Sequence, residues 1–222
     1  MALGASLKLV LSPPHRAGWP FIGAGAVVLL AGLIWSGWLA WLGLIFAGFC
    51  LYFFRDPERV VPARPGLFVA PADGHVVSVM LAAPPEELGL GDTPRWRVAI
   101  FLSVLDVHVN RAPCAGTVTR IAYRHGKYLS ANVDKASTDN ERNALAIRLP
   151  NGQDIAVVQI AGLIARRILC DAHEGDALIA GARFGIIRFG SRTDLYLPHG
   201  IAPLVAVGQT MIGGETVIAE TL

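Results

Sequence analysis

From Ala17 to Phe54 the chain carries no charged residue and no histidine. A bilayer core is crossed by roughly 20 apolar residues, so this run is about two spans long. Trp35-Ser36-Gly37-Trp38 interrupts it near the middle, a turn flanked by tryptophans of the kind found at membrane interfaces. The pattern predicts two helices, over 18–34 and 38–54, packed as a hairpin. Each is short for a full crossing, which leaves spanning and re-entrant arrangements both open. The run is too long for the apolar core of a cleaved signal peptide. Phe49 before Cys50 does not fit a lipoprotein signal, which needs a small residue there. Lys8 and Arg16 precede the run, Arg55, Arg59 and Arg64 follow it, and the turn is uncharged. The positive-inside rule then places both ends in the cytoplasm.

Phe54-Arg55-Asp56-Pro57 is an abrupt change of composition and divides a membrane hairpin, 1–54, from a second domain, 55–222. In that domain short alternating runs are separated by Gly, Pro and Asn turns. Strands are expected at His75–Leu81, Arg97–Leu102, Gly116–Tyr123, Ala144–Leu149, Ile155–Ile160, Gly185–Phe189, Asp194–Leu197 and Glu215–Ala219. Asn151-Gly152 between two of them signals a tight hairpin. Leu163–Leu169 reads as a short helix or a further strand, and 84–94 and 125–142 as loops. The fold class is therefore mainly β, a sandwich or barrel behind the helical hairpin. Glu174-Gly175-Asp176 to Gly181 and Val207-Gly208-Gln209 to Gly214 resemble the turns of biotinyl and lipoyl carriers, which points to a barrel-sandwich, lipoyl-like domain. Carriers need a lysine at a hairpin tip, and no lysine follows Lys135, so that role fails on chemistry. Lys+Arg 19 against Asp+Glu 17 leaves no basic footprint for nucleic acid. Cys50, Cys114 and Cys170 form no metal or disulfide motif, and neither a metal nor a diffusible cofactor is implied.

Gly190-Ser191 carries the chemistry. A serine hydroxyl can attack the preceding carbonyl, and an N-to-O acyl shift then leaves an ester. Elimination gives dehydroalanine, which hydrolyses to a pyruvoyl group and ammonia. Glycine suits the first position because no Cβ shields its carbonyl. Three other strings accompany the pair: Pro71-Ala72-Asp73-Gly74, the run from Phe101 to Gly116 containing Asp106-Val107-His108-Val109-Asn110-Arg111, and Asn140-Glu141-Arg142-Asn143. In this order, behind a membrane anchor, the set closely resembles the phosphatidylserine decarboxylase proenzymes of the short bacterial and archaeal-like branch, from about Phe53 to the C-terminus.

The resemblance implies self-cleavage between Gly190 and Ser191 into fragments 1–190 and 191–222, with a covalent pyruvoyl group derived from Ser191. It implies phosphatidylserine as substrate, phosphatidylethanolamine and carbon dioxide as products, and a Schiff base between the lipid amine and the ketone. The partners implied are membrane lipid and the self-derived subunits, at the bacterial cytoplasmic membrane; a homodimer is compatible with the family, though no residue demands it. The resemblance further implies Ser191 as the nucleophile of maturation, Asp73 as the group that orients a histidine or helps deprotonate Ser191, and His108 as the general acid/base candidate. Asp106, two residues from His108, is expected on the same strand face. The longer bacterial form has a second histidine where this chain has Arg111, and an arginine is no ordinary base. Either His108 serves both maturation and turnover, or Asp73 acts on Ser191 with another helper. Arg111 instead suits the substrate carboxylate or phosphate. Asp106, Glu141, Asn143 and His199 complete the candidate substrate-binding set. Two alternatives remain: the same chemistry on another phosphoserine lipid, such as an ether lipid, or a non-enzymatic membrane adaptor, which leaves Asp73, His108 and Gly190-Ser191 unexplained.

Overall fold

The computed structural model describes residues 12–126, 140–162, 167–188 and 191–221. The chain divides into two compact units, Met1–Glu58 and Arg59–Leu222.

In the first unit, α1 (Trp19–Trp35) and α2 (Gly37–Phe53) form a hairpin that turns on the single residue Ser36. Small residues line the seam: a Cβ on Gly32 would lie 2.0 Å from the Ala40 amide nitrogen, and one on Gly43 would lie 2.3 Å from that of Leu29. Such seams let helix backbones approach closely where lipid supplies no hydrophobic driving force. The outward faces expose Leu33, Ile34, Trp35, Trp38 and Trp41. Arg16–Trp35, 20 residues, is long and apolar enough to cross a membrane, whereas Gly37–Phe53 falls short of that length. The base is tied by the Pro14–Arg55 bridge and by the His15 amide donating to the Phe54 carbonyl at 2.7 Å.

The second unit is mainly β, as the alternation predicts, with its large sheet curled into a half-barrel. Its strands are β1 (Leu67–Val69), β2 (Gly74–Ala82), β3 (Arg95–Leu102), β4 (Val109–Arg111), β5 (Gly116–Arg124), β6 (Arg142–Arg148), β7 (Asp154–Ala161), β8 (Ile168–Cys170), β9 (Ala177–Leu178), β10 (Arg183–Ile187), β11 (Ser191–Tyr196), β12 (Thr210–Met211) and β13 (Val217–Glu220). Eight of them form one sheet in the order β12-β2-β3-β11-β7-β6-β5-β9; β4-β10-β8 and β1-β13 form two smaller sheets. The main core brings together Val98 and Ile100 of β3, Leu145 and Ile147 of β6, Val157, Phe184, Leu195 and Ile218 from all three sheets. Each such side chain contributes about 1.5–3 kcal/mol when fully buried. On the opposite face of the large sheet a second cluster packs Ala144, Ala146, Ala156, Val158, Ile160 and Tyr196 with Leu88.

Asn151-Gly152 makes the expected hairpin: Gly152 has φ 85°, and the Gln153 amide donates to Asn151 Oδ1 at 3.0 Å. Three expectations need correction. β11 begins at Ser191 rather than Asp194, because Ser191 already pairs with Leu102 on one side and Ala161 on the other. His108 and Asp106 share no strand, because Ser103 to Asp106 is a turn and β4 starts only at Val109. Residues 84–94 include a 3₁₀ turn, Glu86–Leu88, within the expected loop. Part of the 125–142 loop and of the Leu163–Leu169 segment lies outside the described residues; Ile168–Cys170 is strand.

Candidate active site

The topology gathers one end of several strands. β2 begins, β3 ends, β11 begins and β7 ends at the same edge, as the pairs His75–Phe101, Ser191–Leu102 and Ser191–Ala161 require. Asp73, Ser103 and Ser191 therefore lie at the same end of the sheet, as does Glu141, whose carbonyl accepts from the Ala161 amide at 2.9 Å. Ser191 is fully buried, and its Oγ has no hydrogen-bond partner among the described residues. Leaving a buried hydroxyl unpaired costs about 1–3 kcal/mol, so the position calls for a chemical reason. Gly190 and Phe189 lie outside the described residues.

Asp73 is gripped from two sides: Arg59 Nη2 donates to Oδ2 at 2.7 Å and the Gly213 amide to Oδ1 at 2.8 Å. Burial pushes the Asp73 carboxyl above its ordinary value; Arg59 and the Gly213 amide oppose this, and the Asp106 charge adds to it. Gly214, at φ 82°, completes the wall, since a Cβ there would lie 3.0 Å from Arg111 Cδ and 3.5 Å from Arg59 Cβ. Arg111 itself is buried, with Nη1 donating to the Gly181 carbonyl at 3.0 Å and its amide to the Pro71 carbonyl. Asp106 closes its turn by accepting from the Ser103 amide and Oγ, both at 2.7 Å.

His108 is fully buried, and its Nδ1 lies 2.9 Å from the Asp106 carbonyl oxygen. A carbonyl only accepts, so Nδ1 carries the hydrogen of that bond. The link from Asp106 to His108 thus runs through the main chain, not the carboxylate. Two residues on, in β4, Asn110 reaches Thr193 Oγ1 with its Nδ2 at 3.4 Å, and its Oδ1 accepts from Gln159 Nε2 at 2.8 Å. Thr193 stands two residues from Ser191, on the same face of β11. Ile187, near the junction, donates its amide to the His108 carbonyl at 3.3 Å, while Gly185 pairs with Asn110. His108 therefore lies toward the Ser191 end of the row that Asn110 begins.

Asn143 joins through Gln159, donating Nδ2 to Oε1 at 2.9 Å. Glu141 lines a pocket of about 580 Å³ with Tyr123, His125, Arg167 and Cys170. His199 is not brought to the others: it sits at the far end of the sheet, 2.9 Å from Arg95 Nη2, with its carbonyl near Gln153 of the hairpin tip. Arg59, Asn110, Gln159 and Thr193 are the site residues that sequence reasoning passed over. Gln159 was detectable as a lone amide inside Ile155–Ala161, and Thr193 by its spacing from Ser191. On the opposite face of β11, Arg192 and Asp194 are buried as a bidentate pair at 2.6 and 3.1 Å, with Arg97 Nε 3.8 Å from Asp194. Neighbouring Tyr196 is pushed up to about 12, first by burial and then by the Asp194 charge.

Comparison with known proteins adds an independent line. A family model described as phosphatidylserine decarboxylase matches residues 46–219. The chain is 71% identical over 220 residues, 99% of its length and 90% of the relative's, to the phosphatidylserine decarboxylase proenzyme of Granulibacter bethesdensis. It is 65% identical over 224 residues to the protein of the same name from Gluconacetobacter diazotrophicus, covering 99% and 100% of the two chains. A third, from Gluconobacter oxydans, is 60% identical over 225 residues, again covering 99% and 100%.

Proposed function

Since the chain belongs to the phosphatidylserine decarboxylase family and is a carboxy-lyase, we propose that it cuts itself between Gly190 and Ser191 and converts phosphatidylserine to phosphatidylethanolamine and carbon dioxide. The observation that carries the reading is the buried, unpartnered Ser191 Oγ at the strand edge it shares with Asp73, on the face that β4 meets with His108 and Asn110.

In maturation, Ser191 Oγ attacks the Gly190 carbonyl carbon, the Gly190–Ser191 C–N bond breaks, and the amine takes the proton. Asp73 or His108 receives the hydroxyl proton; Arg59 supports the ionised form of Asp73 against burial. Loss of the Ser191 α-hydrogen and the ester oxygen then releases residues 1–190 with a new carboxylate and leaves a dehydroalanine at 191, and its imine tautomer is hydrolysed by water to the ketone with release of ammonia. The fit is good: the hydroxyl consumed is the one buried polar atom on β11 that the described residues leave unsatisfied. A pyruvoyl group supplies an electrophilic ketone that captures the substrate amine and accepts the electron pair left when carbon dioxide departs. His108 then delivers a proton to the carbon that lost its carboxylate. Arg111, Glu141, Asn143 and Asp106 line or support the headgroup side. Residues 1–54 hold the site, on the cytoplasmic face, close to a lipid that hardly leaves the bilayer.

The test compares Ser191→Ala with the parent on phosphatidylserine in mixed micelles, and assays the parent also on the ether-lipid analogue. The variant should stay uncut and form no phosphatidylethanolamine. Normal cutting or turnover by Ser191→Ala contradicts the proposal, and preference for the ether lipid would reassign the substrate within the same chemistry.

A further inference from the structure

We infer that Asn143, Gln159, Asn110 and Thr193 form a one-directional amide chain that sets the height of His108 relative to Ser191, which makes Gln159 and Thr193 positioning residues for turnover. The inference rests on the proposed roles of Ser191 and His108. Asn143, Gln159 and Thr193 are directly opposite one another across β6, β7 and β11. The next row toward the site edge holds Ala161, Ser191 and Leu102. The polar row is thus one side-chain layer below the nucleophile, about 7 Å along the strand.

Asn110 closes the chain from across the core, on β4 of the three-stranded sheet. Every link runs one way: Asn143 Nδ2 to Gln159 Oε1 at 2.9 Å, Gln159 Nε2 to Asn110 Oδ1 at 2.8 Å, Asn110 Nδ2 to Thr193 Oγ1 at 3.4 Å. All four residues are buried, so each misplaced amide would leave an unsatisfied group in the core. Gly185 makes room, for a Cβ there would stand 3.0 Å from Gln159 Nε2. Apolar packing alone tolerates sliding between sheets. A directional amide chain does not, and through Asn110 it ties β4, the strand that His108 precedes, to β11, the strand that Ser191 begins. Misplacement by about 1 Å can cost on the order of 100-fold in rate.

The experiment compares Thr193→Val, Thr193→Ser and Gln159→Glu with the full-length parent in mixed micelles. Cleavage is read by intact mass, and kcat and KM for phosphatidylserine are measured on the cleaved fraction. Thr193→Val keeps the shape and removes the acceptor; its kcat should fall about 10- to 100-fold with KM within about twofold. Thr193→Ser restores the acceptor and should recover kcat to within about threefold. Gln159→Glu cannot donate to Asn110 and should lower kcat likewise; it decides the matter if Thr193→Val does not fold. Equal kcat in Val, Glu and parent, or a loss in Ser as large as in Val, overturns the inference. A parent that is not cleaved defeats the underlying reading instead, so the two failures are distinct.

Discussion

Burial pushes the Asp73 carboxyl up, while Arg59 and the Gly213 amide pull it back and the Asp106 charge adds to the push. Because the folded value is raised, the ionised carboxylate is the costly form. Its contribution to stability is fullest below the unfolded value and is lost as pH rises through the folded one. If maturation needs Asp73 ionised, the acid limb of self-cleavage should lie above the ordinary carboxylate range. Arg59→Gln should move that limb up and Asp106→Asn should move it down, both read from the rate of precursor cutting against pH. Shifts in the same direction would contradict the assignment. On the other face of β11, Asp194 serves two buried arginines, so Asp194→Ala should destabilise by about 3–5 kcal/mol. A thermal midpoint close to the parent's would show that the pair carries no such weight.

Within the hairpin, Val28 and Leu42 line one crevice between α1 and α2. Gly43→Leu would drive a side chain into the Leu29 backbone, so spin labels at Val28 and Leu42 should separate in that variant, and an unchanged distance would contradict the close seam. Both helices were legible because an uncharged apolar run permits little else. The long strands β2, β3, β5, β6 and β7 were legible from alternation and Asn151-Gly152. The two- and three-residue strands β1, β4, β8, β9 and β12 were not, since pairing rather than local pattern holds them. For the same reason His108 was expected on a strand with Asp106, whereas a turn held by the Asp106 carboxylate delivers it to the edge of β4. Asp73, His108 and Ser191 were singled out through the strings that carry the family resemblance; Asn110, Gln159 and Thr193 were not, because an amide chain exists only once four strands are in register.

At the scale of the molecule, an apolar helical hairpin is followed in the chain by a β unit whose central strand starts at Ser191. β11 is paired along its six residues with both β3 and β7. Cutting ahead of it removes one covalent link and leaves these ladders in place, so fragments 1–190 and 191–222 should travel together through native gel filtration and part only in denaturant. Intact-mass spectrometry of the purified protein tests the central claim most directly. The account expects two chains, with the smaller lighter by ammonia than a plain 191–222 peptide and reactive toward hydroxylamine. One continuous chain of 222 residues, or a small fragment beginning with an ordinary serine amine, would contradict it.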